Sequence, residues 1–278
     1  MLNLILAILT SAMVAIMMRL AQPRVKYPTG LLVANYIVCT ITALILSLPQ
    51  LPGLSSAGVG FPAGLGALNG FFYLSGFVLM QYNTRHNGVV LSSIFMKLGI
   101  LVSMLISVIW FREYPTALQA LGFLLAVAAI VVINYNKGTS LTRGSWVLLL
   151  MLCMCGMGDV MSKVYEVYGN PEIENVFLLF TFISALVLCL GLMVYKKERL
   201  SLRELLFGVL LGVPNFLTSL FLLKALATVP AVIAFPSYSV ATILMVALAG
   251  LLFFREKLSK KQLIGAALIC VALAFLNL

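Results

Sequence analysis

Two ionisable side chains, Lys97 in "SSIFMKLGILVSM" and Asp159 in "LLLMLCMCGMGDVMSKVYE", stand inside apolar runs long enough to cross a lipid bilayer. A charge at bilayer depth costs about 2.5–3.5 kcal/mol or more unless it is paired or hydrated, so each is a candidate for cargo contact or ion coupling. Lys97 offers a compact cation to an anionic group. Asp159 offers a carboxylate to a proton, a cation or Lys97 itself. A structural ion pair, or a snorkelling residue near an interface, is the competing reading of both. Neutral polar residues form a second set: Asn69 and Tyr73, four residues apart, correspond to Asn215 and Ser219, also four apart. Such spacing puts each pair on one helical face, where it could bind cargo or join helix to helix. Asn35, Ser93, Ser237 and Tyr238 are further substrate-binding candidates.

The elements that position these residues follow from composition. With 63% hydrophobic residues, 9% charged and a mean hydropathy of +1.13, the chain exceeds what a soluble core can hide. A bilayer core of roughly 30 Å needs about 20 helical residues per crossing. Ten runs near that length emerge: 2–20, 29–48, 61–80, 88–111, 116–134, 144–165, 173–195, 203–225, 229–254 and 260–277. The longest connection, "PQLPGLSSAGVG", is neutral and rich in Pro, Gly and Ser, leaving no room for a soluble domain. The first run lacks a basic leader and reads as a retained span. Pro214, Pro230 and Pro236 are expected to break or bend the eighth and ninth spans.

The chain spells one interruption twice, "FREYPTALQALG" from Phe111 and "FREKLSKKQLIG" from Phe254, 143 positions apart. Each copy carries a capping-box pattern, Thr116-x-x-Gln119 and Ser259-x-x-Gln262, that restarts a helix. Glu113 and Glu256 sit beside positive helix N-termini. Other matches agree: "GALN" at Gly66 with "GVPN" at Gly212, and Arg19 ending the first span as Lys163 ends the sixth. Gly66/Gly70 and Gly208/Gly212 are small-xxx-small pairs suited to close packing. The fold expected is therefore an all-α integral membrane protein of ten transmembrane helices, as two five-helix repeats over 1–137 and 138–278. Five spans per half make the repeats inverted, an arrangement of secondary transporters. Symmetry demands neither charge, because Lys97 matches Val240 and Asp159 matches Ala15.

These paired "FRE" turns, the helices "GFLLAVAAIVVI" and "GAALICVALAFL" behind them, and "VPAVIAFPSYSVATILMVALAGLLFFREKLS" together resemble the drug/metabolite transporter superfamily, specifically its EamA-like exporters, over the whole chain. The resemblance implies a carrier for a small amphipathic metabolite, amino acid or drug, working by alternating access and outward, with a proton or a counter-substrate as coupling partner. A facilitative channel or a non-catalytic membrane scaffold is the alternative. No substrate motif of the superfamily carries over, and oligomeric state is left open.

Enzyme chemistry finds no support: the lone His86 lies in a connection, and neither GxxxxGK[ST] nor HExxH occurs. No cofactor or metal is expected. The five cysteines lie inside spans, and Cys153-x-Cys155 cannot share one helical face. On the sixth span Cys155, Asp159 and Ser162/Lys163 share one side, while Met154, Met157 and Met161 lie nearly opposite. The polar side is expected to point inward.

Net charge of +10 reports orientation rather than nucleic-acid binding. The odd-numbered connections hold fourteen Lys and Arg, and the even ones three: Arg112, Lys163 and Lys224. The positive-inside rule puts the odd connections in the cytoplasm and both termini outside, in a bacterial inner membrane by the resemblance. A cysteine introduced next to Lys197 is then expected to react in intact cells only with a membrane-permeant thiol reagent. Ready labelling by an impermeant one overturns the assignment.

Overall fold

A computed structural model describes residues 1–21, 23–53, 58–87, 92, 95–134, 146–253 and 260–278. Its helices are α1 (Leu2–Ala21), α2 (Pro28–Ser47), α3 (Gly60–Asn87), α4 (Ile100–Ile109), α5 (Ala117–Asn134), α6 (Trp146–Tyr168), α7 (Glu174–Tyr195), α8 (Leu202–Leu226), α9 (Ala231–Phe253) and α10 (Lys260–Leu276), with short 3-10 turns at Leu48–Gly53 and Pro171–Ile173. Among the described residues seven helices are long and apolar enough to cross a membrane, and shorter apolar helices cover Phe95–Ile109, Ala117–Val132 and Leu263–Leu276. The chain is an all-helical, multi-pass membrane protein.

Two compact units organise it, and neither is a contiguous half. The first contains Met1–Leu74 and Met161–Ala227, the second Ser75–Val160 and Thr228–Leu278. In the first, α2 packs against α7 and α8, and α1 against α8. The glycine pairs explain how. A Cβ on Gly66 would meet Phe177 O at 2.6 Å, and one on Gly70 would meet Ala185 N at 2.8 Å, so α3 lies backbone to backbone on α7. A Cβ on Gly208 would meet Asn35 N at 2.9 Å and one on Gly212 would meet Asn35 O at 2.9 Å, so α8 lies equally close on α2. Lipid tails are as apolar as leucine, so close van der Waals approach and interhelical hydrogen bonds, rather than hydrophobic burial, hold such helices together.

In the second unit α5 packs along α10, where Gly122 admits the backbone of Ala272 and Leu276. Ile100, Ala126, Ala129, Ile130, Val240, Ile269 and Ala272 form its core. A second cluster sets Leu148 and Met151 of α6 against Leu79, Met80, Phe95 and Met96.

Helix starts are closed by side chains from far along the chain. The first N–H groups of a helix lack intrahelical partners, and in a membrane they must find others. Pro28 has no N–H to satisfy; Thr29 N donates to Glu198 Oε2 at 2.8 Å, and Lys26 N and Tyr27 N donate to Glu204 Oε1 at 3.0 and 3.1 Å. The start of α7 is closed reciprocally from the segment after α2: Asn175 N donates to Gln50 Oε1 at 3.2 Å and Asn175 Nδ2 to Leu46 O at 3.1 Å. In the second unit Val232 N of α9 donates to Glu113 Oε2 at 3.2 Å. The expected capping box at Thr116 is present, with Thr116 N on Gln119 Oε1 at 3.0 Å and Gln119 N on Thr116 Oγ1 at 3.2 Å. Ser259, Glu256 and the Gln262 side chain lie outside what is described.

Several expectations change. Glu113 serves α9 across 119 residues rather than the helix that follows it, because Thr116 and Gln119 already close that start. Lys163 lies inside α6, which runs on to Tyr168, and is buried against Glu166 at 2.5 Å. The Glu166 partner offsets the cost that would otherwise push this ammonium to a connection. Pro214 and Pro236 sit inside continuous helices, whereas Pro230 precedes α9, its carbonyl accepting from Ile233 N and Ala234 N at 3.0 and 2.9 Å. Near Pro214, Thr218 Oγ1 donates to the Pro214 carbonyl at 2.8 Å. The fourth run, read as one span, is interrupted: 95–97 are helical, Leu98 and Gly99 form a turn, and α4 begins at Ile100.

Arg112 and Lys197 both have φ of 54°, the left-handed region that disfavours side chains. At Lys197 the α7 terminus closes as a Schellman motif, with Glu198 N bonded to Met193 O at 3.0 Å. The cation suits the negative end of the helix. The twist turns Glu198 towards α2, as the turn at Arg112 brings Glu113 to α9. Lys197→Gly is expected to raise stability by about 1 kcal/mol through relief of left-handed strain, and Lys197→Val to lower it. Thermal unfolding in detergent checks this; Val and Gly variants of equal stability would remove the strain argument.

Candidate functional site

The symmetric polar stripes meet. In the first unit Ser219 Oγ donates to Asn215 O at 3.4 Å and takes the Tyr73 hydroxyl at 3.2 Å. Asn215 Nδ2 reaches Asn35 Oδ1 at 3.3 Å and Cys39 Sγ at 3.7 Å. Asn69 Nδ2 reaches Thr181 Oγ1 at 3.3 Å, and Thr181 Oγ1 itself donates to Phe177 O at 2.9 Å. The close approach at the paired glycines makes these short side chains meet, because Asn69 lies between Gly66 and Gly70 on α3. Rings flank the stripe: Phe182 lies 6.4 Å from Tyr73, 5.9 Å from Phe216 and 6.5 Å from Tyr36, centroid to centroid. Five of the expected residues, Asn35, Asn69, Tyr73, Asn215 and Ser219, are thus gathered in one unit.

Within this stripe hydrogen-bond accounting leaves one buried atom over, while elsewhere in the unit Thr29 Oγ1, Thr40 Oγ1 and Asn175 Oδ1 are likewise unmet. Asn69 is 1% exposed, and its Oδ1 has no partner within the protein. An unmet buried acceptor costs about 1–3 kcal/mol. The amide cannot rotate to cure this, because Thr181 spends its proton on Phe177 O and can only accept from Asn69.

Lys97 and Asp159 lie in the second unit, both half-buried, and interact electrostatically. Ser103, whose Oγ donates to Ile100 O at 3.4 Å, lies beside the Asp159 carboxylate. Backbone bonds around Lys97 have the tighter i to i−3 form, Gly99 N to Met96 O at 3.3 Å, Leu101 N to Leu98 O at 2.9 Å and Val102 N to Gly99 O at 2.9 Å. This local tightening is the 3-10 interruption that often marks a hinge. Gly99 sits directly on α6, where its own Cβ would meet Gly156 N at 3.1 Å and a Cβ on Gly156 would meet that of Val102 at 2.7 Å. Asp159 lies one turn beyond Gly156 and nine residues before the end of α6, about 13 Å along the axis. The longer α6 therefore buries Asp159 deeper than its sequence run suggests.

The Cys155, Gly156 and Asp159 side of α6 faces the interrupted segment, consistent with an inward polar side. Met161, on the opposite side, is buried as well. Ser237, on α9, is buried with no partner for its hydroxyl; Tyr238 beside it is half-buried. Ser93 lies outside the described residues. Thr181 and Ser103, which complete the two clusters, were not singled out from sequence: each is one of two Ser or Thr hydroxyls on an apolar helix. Ser103 had a signal, since it falls six residues after Lys97.

Two matches to the EamA-like transporter family cover residues 1–135 and 142–278. The chain belongs to the EamA-like transporter family. An uncharacterized protein of Haemophilus influenzae is 25% identical to this transporter over 275 residues, covering 95% of this chain and 93% of the relative. A protein of known crystal structure has the same fold, with a TM-score of 0.77 at 17% identity, over 99% of this chain and 94% of that one.

The Tyr73 to Ser219 bond is expected to couple α3 and α8 by about 0.6–2 kcal/mol. A double-mutant cycle with Tyr73→Phe and Ser219→Ala, read by unfolding in detergent, measures it. Additive losses would reduce the contact to proximity.

Proposed function

We propose that this transporter is a secondary carrier of ten crossings, built as two inverted five-span repeats over 1–137 and 138–278, that exports a small amphipathic metabolite, amino acid or drug by alternating access. The observation that carries the reading is reciprocal packing. The small-xxx-small glycine pairs at 66/70 and 208/212 bring α3 onto α7 and α8 onto α2. The start of α2 is closed by Glu198 just after α7 and by Glu204 in the first turn of α8, and that of α7 by Gln50 just after α2. Contacts exchanged in this way are what two antiparallel copies of one unit make, and inverted copies about a central site are the construction of secondary transporters. Both termini outside and residence in a bacterial inner membrane follow from the charge asymmetry and the family.

Lys97 supplies the anion contact of the cargo, and Asp159, with Ser103, carries the coupling ion or balances Lys97 when the site is empty. Interrupted helices at membrane depth are where such carriers place their ligand groups, and the break at Leu98 and Gly99 adjoins the Lys97 ammonium stem. The neutral candidates are Asn35, Asn69, Tyr73, Asn215 and Ser219 in the first unit and, taken separately, Ser93, Ser237 and Tyr238 in the second. Membrane lipid surrounds the carrier, and a proton or a counter-substrate completes the cycle.

Metabolite profiling of cells expressing the wild type against Lys97→Met identifies the cargo; counterflow in proteoliposomes then measures exchange. Lys97→Met keeps the apolar stem and is expected to reduce transport at least tenfold while the protein remains folded. Lys97→Arg is not expected to rescue, because a planar guanidinium does not replace a compact ammonium. If Lys97 serves only to neutralise Asp159, Lys97→Met and Asp159→Asn each destabilise and the double variant recovers. Stable single variants with normal exchange sink both roles, and absence of trans-stimulation in the wild type sinks the carrier cycle in favour of a channel.

A further inference from the structure

We infer that the Asn69 amide oxygen is a selectivity element that receives an N–H or O–H donor from the cargo, so that this end of the cargo is donor-bearing rather than anionic. The inference rests on the carrier reading and adds a chemical class to one part of its site.

Three observations carry it. First, the orientation of the Asn69 amide is dictated by its neighbours. Thr181 Oγ1 donates to Phe177 O, so it faces Asn69 as an acceptor and takes the Nδ2 proton. Oδ1 is left as a buried acceptor without a partner in the protein. Second, no donor of the stripe reaches this oxygen: Ser219 donates to Asn215 O, Tyr73 and Ser219 share a bond between their hydroxyls, and Asn215 Nδ2 is engaged with Asn35 and Cys39. A carboxylate or phosphate, which brings acceptors only, would add to the mismatch; an ammonium, amide or hydroxyl would relieve it. Third, Asn69 stands nine residues into a 28-residue helix, about 13 Å from its start. At that depth a polar side chain left unsatisfied is retained for function more readily than for packing.

The mate of Asn69 sharpens the point. Asn215 occupies the corresponding place on α8, where its Nδ2 is engaged with Asn35 and Cys39 and the residue is half-buried. Two copies of one motif have thus diverged: the Asn69 amide is buried with its oxygen unmet, and the Asn215 amide is only half-buried. The rings of Tyr73, Phe182 and Phe216 beside the stripe favour a cargo with an apolar or aromatic body.

Matched probes separate donor from charge and shape. Phenethylammonium and phenethyltrimethylammonium carry the same ring and charge, but the second has no N–H; 2-phenylethanol and its methyl ether make the neutral pair. Binding to purified full-length protein in detergent is followed by thermal shift and by isothermal calorimetry. The donor-bearing member of at least one pair is expected to bind roughly tenfold or more tightly than its methylated partner. If only the ammonium pair discriminates, the donor is cationic; if only the alcohol pair does, it is neutral. Asn69→Leu, of similar volume, is expected to abolish the preference.

Equal binding within both pairs, no binding of either donor-bearing probe, or a preference that survives Asn69→Leu overturns the inference. The wild-type comparison alone decides the matter should Asn69→Leu fail to fold. Wild-type counterflow without donor preference would leave the carrier reading standing and remove this subsite. Donor preference in a protein that shows no counterflow would do the reverse.

Discussion

A helix that starts at the edge of a bilayer exposes N–H groups that lipid cannot satisfy, and the rest of this structure depends on how that constraint is met. Here the donors are served mostly by carboxylates and an amide from distant segments. Glu198 and Glu204 close α2, Gln50 closes α7 and Glu113 closes α9. In each of α2, α7 and α9 the second helical residue gives its N–H to such a side chain. The bonds fix where helices begin, and hence the register in which their glycines and polar residues meet. A carboxylate near the positive end of a helix dipole gains electrostatically as well. Glu204 shows the arrangement at its fullest: it is 1% exposed, and its oxygens take two backbone N–H groups and the Ser201 hydroxyl.

Register then determines which polar side chains are neighbours. Once α3 lies on α7 through Gly66 and Gly70, Asn69 has little choice but to face Thr181. Once α8 lies on α2 through Gly208 and Gly212, Asn215 must face Asn35. Exchange of a glycine for alanine at any of these four positions would separate the helices and disconnect hydrogen bonds a turn away. Packing and chemistry are coupled here through backbone proximity rather than through large side chains.

Much of this was legible in the sequence, for identifiable reasons. Apolar run length locates the helices because bilayer thickness is an external ruler, and α1, α2, α7 and α8 fall within a few residues of the runs that suggest them. The stripe at Asn69/Tyr73 and Asn215/Ser219 was legible because two copies vouch for each other. Long-range caps were not. Glu198 and Glu204 read as ordinary interfacial charge, since nothing in "KKERLSLRE" names a partner about 170 residues earlier. The break beside Lys97 was hidden as well, because "FMKLGILVSM" is apolar apart from Lys97 and Ser103 and its single glycine is as compatible with tight packing as with a turn. Asp159 looked shallower than it is because Lys163 was read as a terminus; its bond to Glu166 lets the helix continue past it.

The exchanged caps impose an order on assembly. The donors of α2 belong to residues 26–29, and their acceptors arrive 169 to 178 residues later. At about 5–20 residues per second of synthesis the delay is roughly 10 to 35 s. For that interval α2 has been made but its start is not closed by the chain, and only emergence of Glu198 and Glu204 completes it. Closure of the α2 start is therefore paced by synthesis as far as Glu204, before α9 and α10 are made.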